Sequence, residues 1–213
     1  MWKISFLTDN PKIWIIPYVD TLEEIVSQNH QVIRCYDYEN IPMGDMCFFL
    51  SCEKIAAPHI LKRNIHNIVI HPSRLPLGKG FSPLAWQILD GKNEIPISLF
   101  EAEEKVDSGV VYYRDIIELK GHELNSEIKK LQGKKTIELV LRFIDDYPNV
   151  KGYSQKGKES FYKRRRKKDS ELDVNKSIAE QFNLLRIVDN ERYPAYFYYM
   201  GHKYVFKIYK KDE

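Results

Sequence analysis

Residues 67–109 read NIVIHPSRLPLGKGFSPLAWQILDGKNEIPISLFEAEEKVDSG, and this stretch decides the architecture. Ile68, Val69 and Ile70 form an apolar, β-branched run that predicts a strand, and this strand carries His71 at its C-terminal end. The segment after it holds Pro72, Pro76, Gly78, Gly80 and Pro83. Each proline removes a backbone donor and each glycine opens dihedrals closed to other residues, so an irregular loop is expected here. A helix follows from Pro83 to Leu89 and stops at Gly91. Residues 95–100 and 110–114 then read as two strands flanking an acidic loop, which ends in Asp107-Ser108-Gly109.

Towards the N-terminus, residues 3–8, 31–35 and 46–50 are further short hydrophobic runs, and residues 17–28 predict a helix capped by Asp20. Nearly continuous apolar runs mark strands covered on both faces. The expected fold class is α/β, a Rossmann-like, mostly parallel sheet with helices on both faces, over residues 1–120. Beyond it the period changes. Leu124, Ile128 and Leu131, then Ile137, Val140, Leu141 and Ile144, recur at helical spacing, with Gly133 as a candidate break between two helices. Residues 151–168 are polar and basic and read as a mobile connector. A further helix is predicted over 173–188, and 195–210 alternates about Gly201 as a β-hairpin. Residues 121–213 thus form an expected C-terminal helical and β-hairpin appendage. The hairpin is rich in aromatics, among them Tyr196, Tyr198, Tyr199 and Tyr204, so one face needs cover from the main domain or from a homodimer partner.

Composition excludes several classes. With 43% hydrophobic and 30% charged residues, the 213-residue chain is an ordinary globular protein. No run approaches the roughly 20 apolar residues that cross a bilayer. Residues 1–7 meet Asp9 too soon to be a secretory signal, so a cytoplasmic location without membrane contact is expected. Cys35, Cys47 and Cys52 are an odd set without paired C-x-x-C spacing, which argues against disulfides and zinc. The other histidines (His30, His59, His66, His122, His202) lack metal-ligand spacing, so no metal is expected. A net charge of +3 is too small by itself to imply a nucleic-acid partner. The local exception is the six-cation run 163–168, either a solvated connector or a phosphate contact.

An imidazole and a carboxylate about 36 residues apart meet if their two strands are adjacent and end together at the open edge of the sheet, where α/β folds bind ligands. That pair suits acyl transfer. The histidine stabilises charge developing on a carbonyl oxygen, and the aspartate fixes its tautomer and receives a proton from an attacking amine. Alone, a histidine at a strand end is more often structural and D-S-G is a turn signal; together they point to chemistry.

The run His71-Pro72-Ser73-Arg74-Leu75-Pro76, with Lys79-Gly80, Pro83 and Trp86, resembles the H-x-S-L-L-P loop of the folate-dependent formyltransferases. That family includes methionyl-tRNA formyltransferases and sugar N-formyltransferases. Asp107-Ser108-Gly109 matches its later D-x-G, and the resemblance spans residues 46–208. It implies transfer of a formyl group from 10-formyltetrahydrofolate to a primary amine, with His71 and Asp107 catalytic. It further implies a pterin pocket lined by Ser51, Glu53, Lys54 and Ile55, with Val106 beside Asp107. Ser73, Lys79 and Trp86 are the acceptor-side candidates, although Lys79 also reads as a solvated loop lysine and Trp86 as core.

One position departs from the family. Its Asn, two residues before the His, is Val69 here. Residues two apart on a strand share a face, so a valine stands where an amide would meet the formyl oxygen. Asn67 shares that face but lies roughly 7 Å further back. Either a backbone amide or Lys79 substitutes, or transfer is slow. The expected acceptor is a nucleotide-linked amino sugar used for surface polysaccharide. Methionyl-tRNA formylation, hydrolysis of the folate and a non-catalytic folate-binding module are the alternatives.

Overall fold

Apolar strands form the centre of the molecule, and the computed structural model describes residues 1–211. In chain order, β1 (Lys3–Leu7), α1 (Ile16–Val26), β2 (Gln31–Cys35), β3 (Gly44–Phe49), α2 (Pro58–Leu61) and β4 (Asn64–His71) come first. The short β5 (Lys79–Gly80), α3 (Pro83–Leu89), β6 (Glu94–Glu101) and β7 (Val111–Glu118) follow. The long α4 (Asn125–Asp146), β8 (Phe161–Tyr162), α5 (Phe182–Ile187) and the hairpin β9 (Ala195–Tyr199) and β10 (His202–Phe206) complete the order. The main sheet has six strands in the order β2-β1-β3-β4-β6-β7. Its first four strands are mutually parallel. β6 runs antiparallel to both β4 and β7. The α/β class and the mostly parallel sheet are as expected.

Two-sided burial explains the composition of the inner strands. Ile4 and Phe6 of β1 and Met46 and Phe48 of β3 face the principal core, where they meet Leu22 of α1 and Phe143 of α4. The alternate residues Leu7, Cys47 and Phe49 meet Ile41 and Ile60 in a thinner layer that contains α2. A strand with no polar face must be apolar at nearly every position. The edge strand β2 alternates, with Gln31 exposed and Ile33 at the surface.

Several local expectations are corrected. α1 begins one residue before Pro17, which sits in the first turn where its missing N–H costs nothing. Asp20 is not its cap; it lies within the helix and pairs with Arg34 at 2.5 Å. Gly133 does not separate two helices. It lies inside α4 because Tyr18 packs there, and a Cβ at that position would come within 2.5 Å of the Tyr18 ring. The helix predicted over 173–188 is only α5. The segment before it is held in turns, with the Asp173 carboxylate accepting from the Asn175 amide and the Gln181 side chain donating to the Asp173 and Lys176 carbonyls. Such side-chain bonds offer the backbone an alternative to the helical ladder. The connector over 151–168 is pinned to the protein at several points, described below.

The hairpin β9–β10 packs one side on its own chain, with Ala195, Phe206 and Ile208 against Leu185 and Val188. Tyr198, Tyr199 and Tyr204 on it are exposed. No helix among the described residues is long and apolar enough to cross a membrane.

The turn from β6 to β7 depends on a close approach. A Cβ at Gly109 would lie 1.9 Å from the Glu101 carbonyl oxygen. Gly109→Ala should therefore cost about 3 kcal/mol, the upper end for overpacking against backbone that must move. The fall is readable as a lower denaturant midpoint; an unchanged midpoint would disprove the tight contact.

Candidate functional site

His71 ends β4 on the thin side of the sheet and is buried. Its Nε2 lies 2.9 Å from the Gly78 carbonyl, which can only accept, so Nε2 carries the proton. The same Nε2 is 3.8 Å from Asp107 Oδ2. Asp107 Oδ2 in turn accepts from the Gly80 amide at 2.8 Å. The loop after β4 thus folds back so that Gly78 meets the imidazole and Gly80 the carboxylate. Both glycines have positive φ, +72° and +92°, which a side chain would strain.

The two groups converge by an unexpected route. Their strands do not end together. β6 is antiparallel to β4, and His71 pairs in register with Ser98, midway along β6. Asp107 returns to His71 on the loop between β6 and β7, with its backbone at φ +50°. Ser51 and Ser82 also adopt positive φ, and all three line one cavity. Backbone held in such conformations clusters at functional sites because the surrounding fold over-determines it.

What holds both loops is the polar segment before β8. Gln155 Nε2 donates to the Asp107 and Gly109 carbonyls, each at 2.9 Å. Ser160 Oγ accepts from the Gly78 amide at 2.8 Å, and the Ser160 carbonyl accepts from the Lys79 amide at 2.9 Å. Glu159 pairs with Lys79 at 2.7 Å and with Lys105 at 3.1 Å, one lysine from each loop. Hydrogen bonds from Lys79 and then Lys105 hold the Glu159 carboxyl below its ordinary range. Gln155, Glu159 and Ser160 sit in a polar stretch with no periodicity, so no sequence signal marks them.

The cavity has a volume of about 620 Å³. Ser51, Glu53, Lys54, Ile55 and Val106 line it together with His71 and Asp107. The loop 51–54 is fixed by Asp9, whose Oδ2 accepts from the Glu53 and Lys54 amides at 2.7 and 3.0 Å. Tyr38 adds a hydroxyl bond to the Lys54 carbonyl at 2.7 Å. Cys52 also lines the cavity, and burial pushes its thiol up to about 12, so it stays neutral. All three cysteines are free.

The three acceptor-side candidates are not in the lining. Ser73 is buried behind the loop, where its carbonyl accepts from Ser98 Oγ at 2.7 Å. Lys79 is 1% exposed and committed to Glu159. Trp86 donates its indole N–H to the Lys163 carbonyl at 2.7 Å, with the Lys163 ammonium over its ring. Val69 does line the cavity. Asn67 spends its amide on the Leu61 carbonyl at 2.8 Å. The substitutes for an amide at position 69 are therefore engaged, Lys79 by Glu159 and the Gly80 amide by Asp107. His71 is left as the donor beside Val69. Among the described residues, no group of three or more His, Cys, Asp or Glu side chains is placed to hold a metal ion.

An α/β sheet carrying an imidazole–carboxylate pair on two glycine-shaped loops defines a class, and the comparisons give it a name. No family model matches the chain. A methionyl-tRNA formyltransferase from Malacoplasma penetrans is 27% identical over 124 residues, covering 56% of this chain and 38% of that one. The solved methionyl-tRNA formyltransferase from Clostridium thermocellum superposes with a TM-score of 0.83 at 18% identity, over 99% of this chain and 93% of that one. A sugar N-formyltransferase from Shewanella sp. FDAARGOS_354 superposes with a TM-score of 0.74 at 13% identity, over 100% and 99% of the two chains. In sequence and in fold the chain is similar to formyltransferases. It spans less than half the length of the curated relatives it matches.

Proposed function

We propose that the chain moves a formyl group from 10-formyltetrahydrofolate to the amine of a nucleotide-linked amino sugar, of the kind built into surface polysaccharide. The observation that carries this reading is the His71–Asp107 pair, 3.8 Å apart in the wall of a cavity of small-molecule size. The residues present fit a folate. Phe49, Ile55, Val69 and Phe100 offer apolar walls to a flat ring, and the loop 51–54, fixed by Asp9, offers fixed backbone groups to its edge. The folate supplies the formyl carbon. Asp107 would take the proton that the attacking amine gives up and return it to the folate nitrogen as the carbon–nitrogen bond to the formyl group breaks, while the His71 Nε2–H would turn from the Gly78 carbonyl to the formyl oxygen as negative charge develops there. The side chains of both residues are largely shielded, 10% and 14% exposed, which strengthens these interactions.

A small acceptor is favoured because the chain's own C-terminal segment contributes Arg165, Val188 and Tyr193 to the cavity wall. Near-full-length superposition with a sugar N-formyltransferase and with a methionyl-tRNA formyltransferase supports formyl transfer and leaves the acceptor to the shape of the cavity. The exposed cations Lys163, Arg166, Lys167 and Lys168 favour a second reading, an RNA-borne amine. Incubation with 10-formyltetrahydrofolate and a panel of amino-sugar nucleotides, read by mass spectrometry, tests the first. Gain of one formyl group on a sugar nucleotide is the expected result. Salt-sensitive formylation of charged tRNA with no product on the panel would replace it with the second.

Val69 gives a direct check on the mechanism. Val69→Asn restores an amide on the face shared with His71 and should raise turnover about tenfold, well below the roughly 100- to 1000-fold of an optimised oxyanion donor. A variant slower than the parent would show that the formyl oxygen lies elsewhere.

A further inference from the structure

We infer that Arg165, Arg166 and Arg192 form a diphosphate subsite on the cavity wall, a deepening of the amino-sugar nucleotide reading on which it rests. All three line the same cavity as His71 and Asp107. They come from two separate segments, one just after β8 and one just before β9, so the fold brings them together rather than a single basic run. Guanidinium forks match phosphate oxygens in pairs, which makes arginine the natural residue for such a ligand.

Most acids of the cavity are committed elsewhere. Among the described residues, Glu53 and Asp189 are engaged by Arg164 at 2.7 Å and Lys129 at 3.2 Å and Asp107 by the Gly80 amide at 2.8 Å, while Glu103 also lines the cavity. Asp169, next to the wall, has Lys163 at 3.8 Å and caps the Arg166 amide at 2.6 Å. Arg165 is only partly exposed. One of its nitrogens donates to the Asp169 carbonyl at 2.9 Å and, more weakly, to Ser170 Oγ at 3.4 Å. Its Nε is buried with no partner. Burial lowers its pKa while the nearby Asp169 carboxylate raises it, and an arginine does not give up its proton in a protein, so the charge stays. Three guanidiniums in the lining of one cavity favour an anion there.

The surroundings extend the match. Arg192 and Tyr193 also border a smaller cavity of about 190 Å³, whose other walls include Lys167 and Lys203. Cations therefore continue past the wall, and the exposed ring of Tyr193 offers a face on which a nucleobase stacks. The glutamyl carboxylates of a folate share the same anion chemistry. Arg164 is the arginine on that side, tied to Glu53 of the loop 51–54; the other three positions are not.

The test is a calorimetric titration of the full chain with inorganic pyrophosphate, and separately with tri-γ-glutamate, in the absence of any formyl donor. Saturable pyrophosphate binding is expected, weakened at least tenfold by Arg165→Gln and by Arg192→Gln and unchanged by Lys134→Gln on the exposed side of α4. Because Arg165 is partly buried, Arg165→Lys serves as a second variant; it keeps the charge, loses the fork and should still bind more weakly than the parent. Equal binding by all variants, or no saturable binding, overturns the subsite. So does triglutamate binding that is tighter than pyrophosphate and lost in the same variants. This titration reads no chemistry, so its outcome is independent of whether the mass-spectrometric assay finds formyl transfer.

Discussion

His71→Asn will lower turnover by about 1000-fold, while the variant still binds the folate. Removing one oxyanion donor costs roughly 100- to 1000-fold, and beside the apolar Val69 the named substitutes, Lys79 and the Gly80 amide, are already engaged. With no ready replacement for His71, the effect falls at the upper end of that range. The substitution is mild for the fold. Asn is smaller than His and carries an N–H with which to meet the Gly78 carbonyl now bonded at 2.9 Å. The pocket loop 51–54 is held by Asp9 and Tyr38, which His71 does not touch, so the folate's binding surface survives. Single-turnover product by mass spectrometry and folate affinity by fluorescence quenching separate the two effects. Turnover at the parental rate would remove His71 from the reaction.

Much of this site could be read from the chain alone, and what could not has a physical cause. β1 and β3 announce themselves because both faces are buried, and His71 follows because its strand end meets a proline–glycine loop and an aspartate about 36 residues on, a pairing that points to chemistry where the histidine alone does not. The meeting of His71 with Asp107 was expected, but through two strands ending together. The actual route is a reversal: α3 turns the chain so that β6 enters the sheet antiparallel, and the loop after it must come back. Short apolar runs carry no mark of direction, so strand polarity was invisible. Gly133 looked like a break because a glycine in a helix is costly; only the position of Tyr18, far off in sequence, gives it a use. The segment holding Gln155, Glu159 and Ser160 reads as a mobile connector for the same reason. Its bonds go to backbone groups and lysines of distant loops, and such partners leave no periodic trace in a sequence.

Asp107→Asn isolates the charge of the pair and should lower kcat by about 100- to 1000-fold. The backbone at Asp107 is left-handed, φ +50°, and Asn is among the few residues that accept this conformation readily. The side-chain oxygen of Asn can still accept from the Gly80 amide, which Asp107 holds at 2.8 Å. Gln155 grips the carbonyl of residue 107 and not its side chain, so that anchor is indifferent to the change. Stability should therefore move by about 1 kcal/mol or less, the worth of weakening one charged hydrogen bond. What disappears is the base for the amine's proton, a carboxylate 3.8 Å from His71 Nε2. Asp107→Ala is the contrasting case. It loses the Gly80 contact as well and places a residue with no local hydrogen bond in a left-handed conformation, at a cost of roughly 1–2 kcal/mol, so it falls in both kcat and denaturant midpoint. If Asp107→Asn retains the parental kcat while Asp107→Ala does not, the carboxylate is a loop fastener and the proton goes elsewhere.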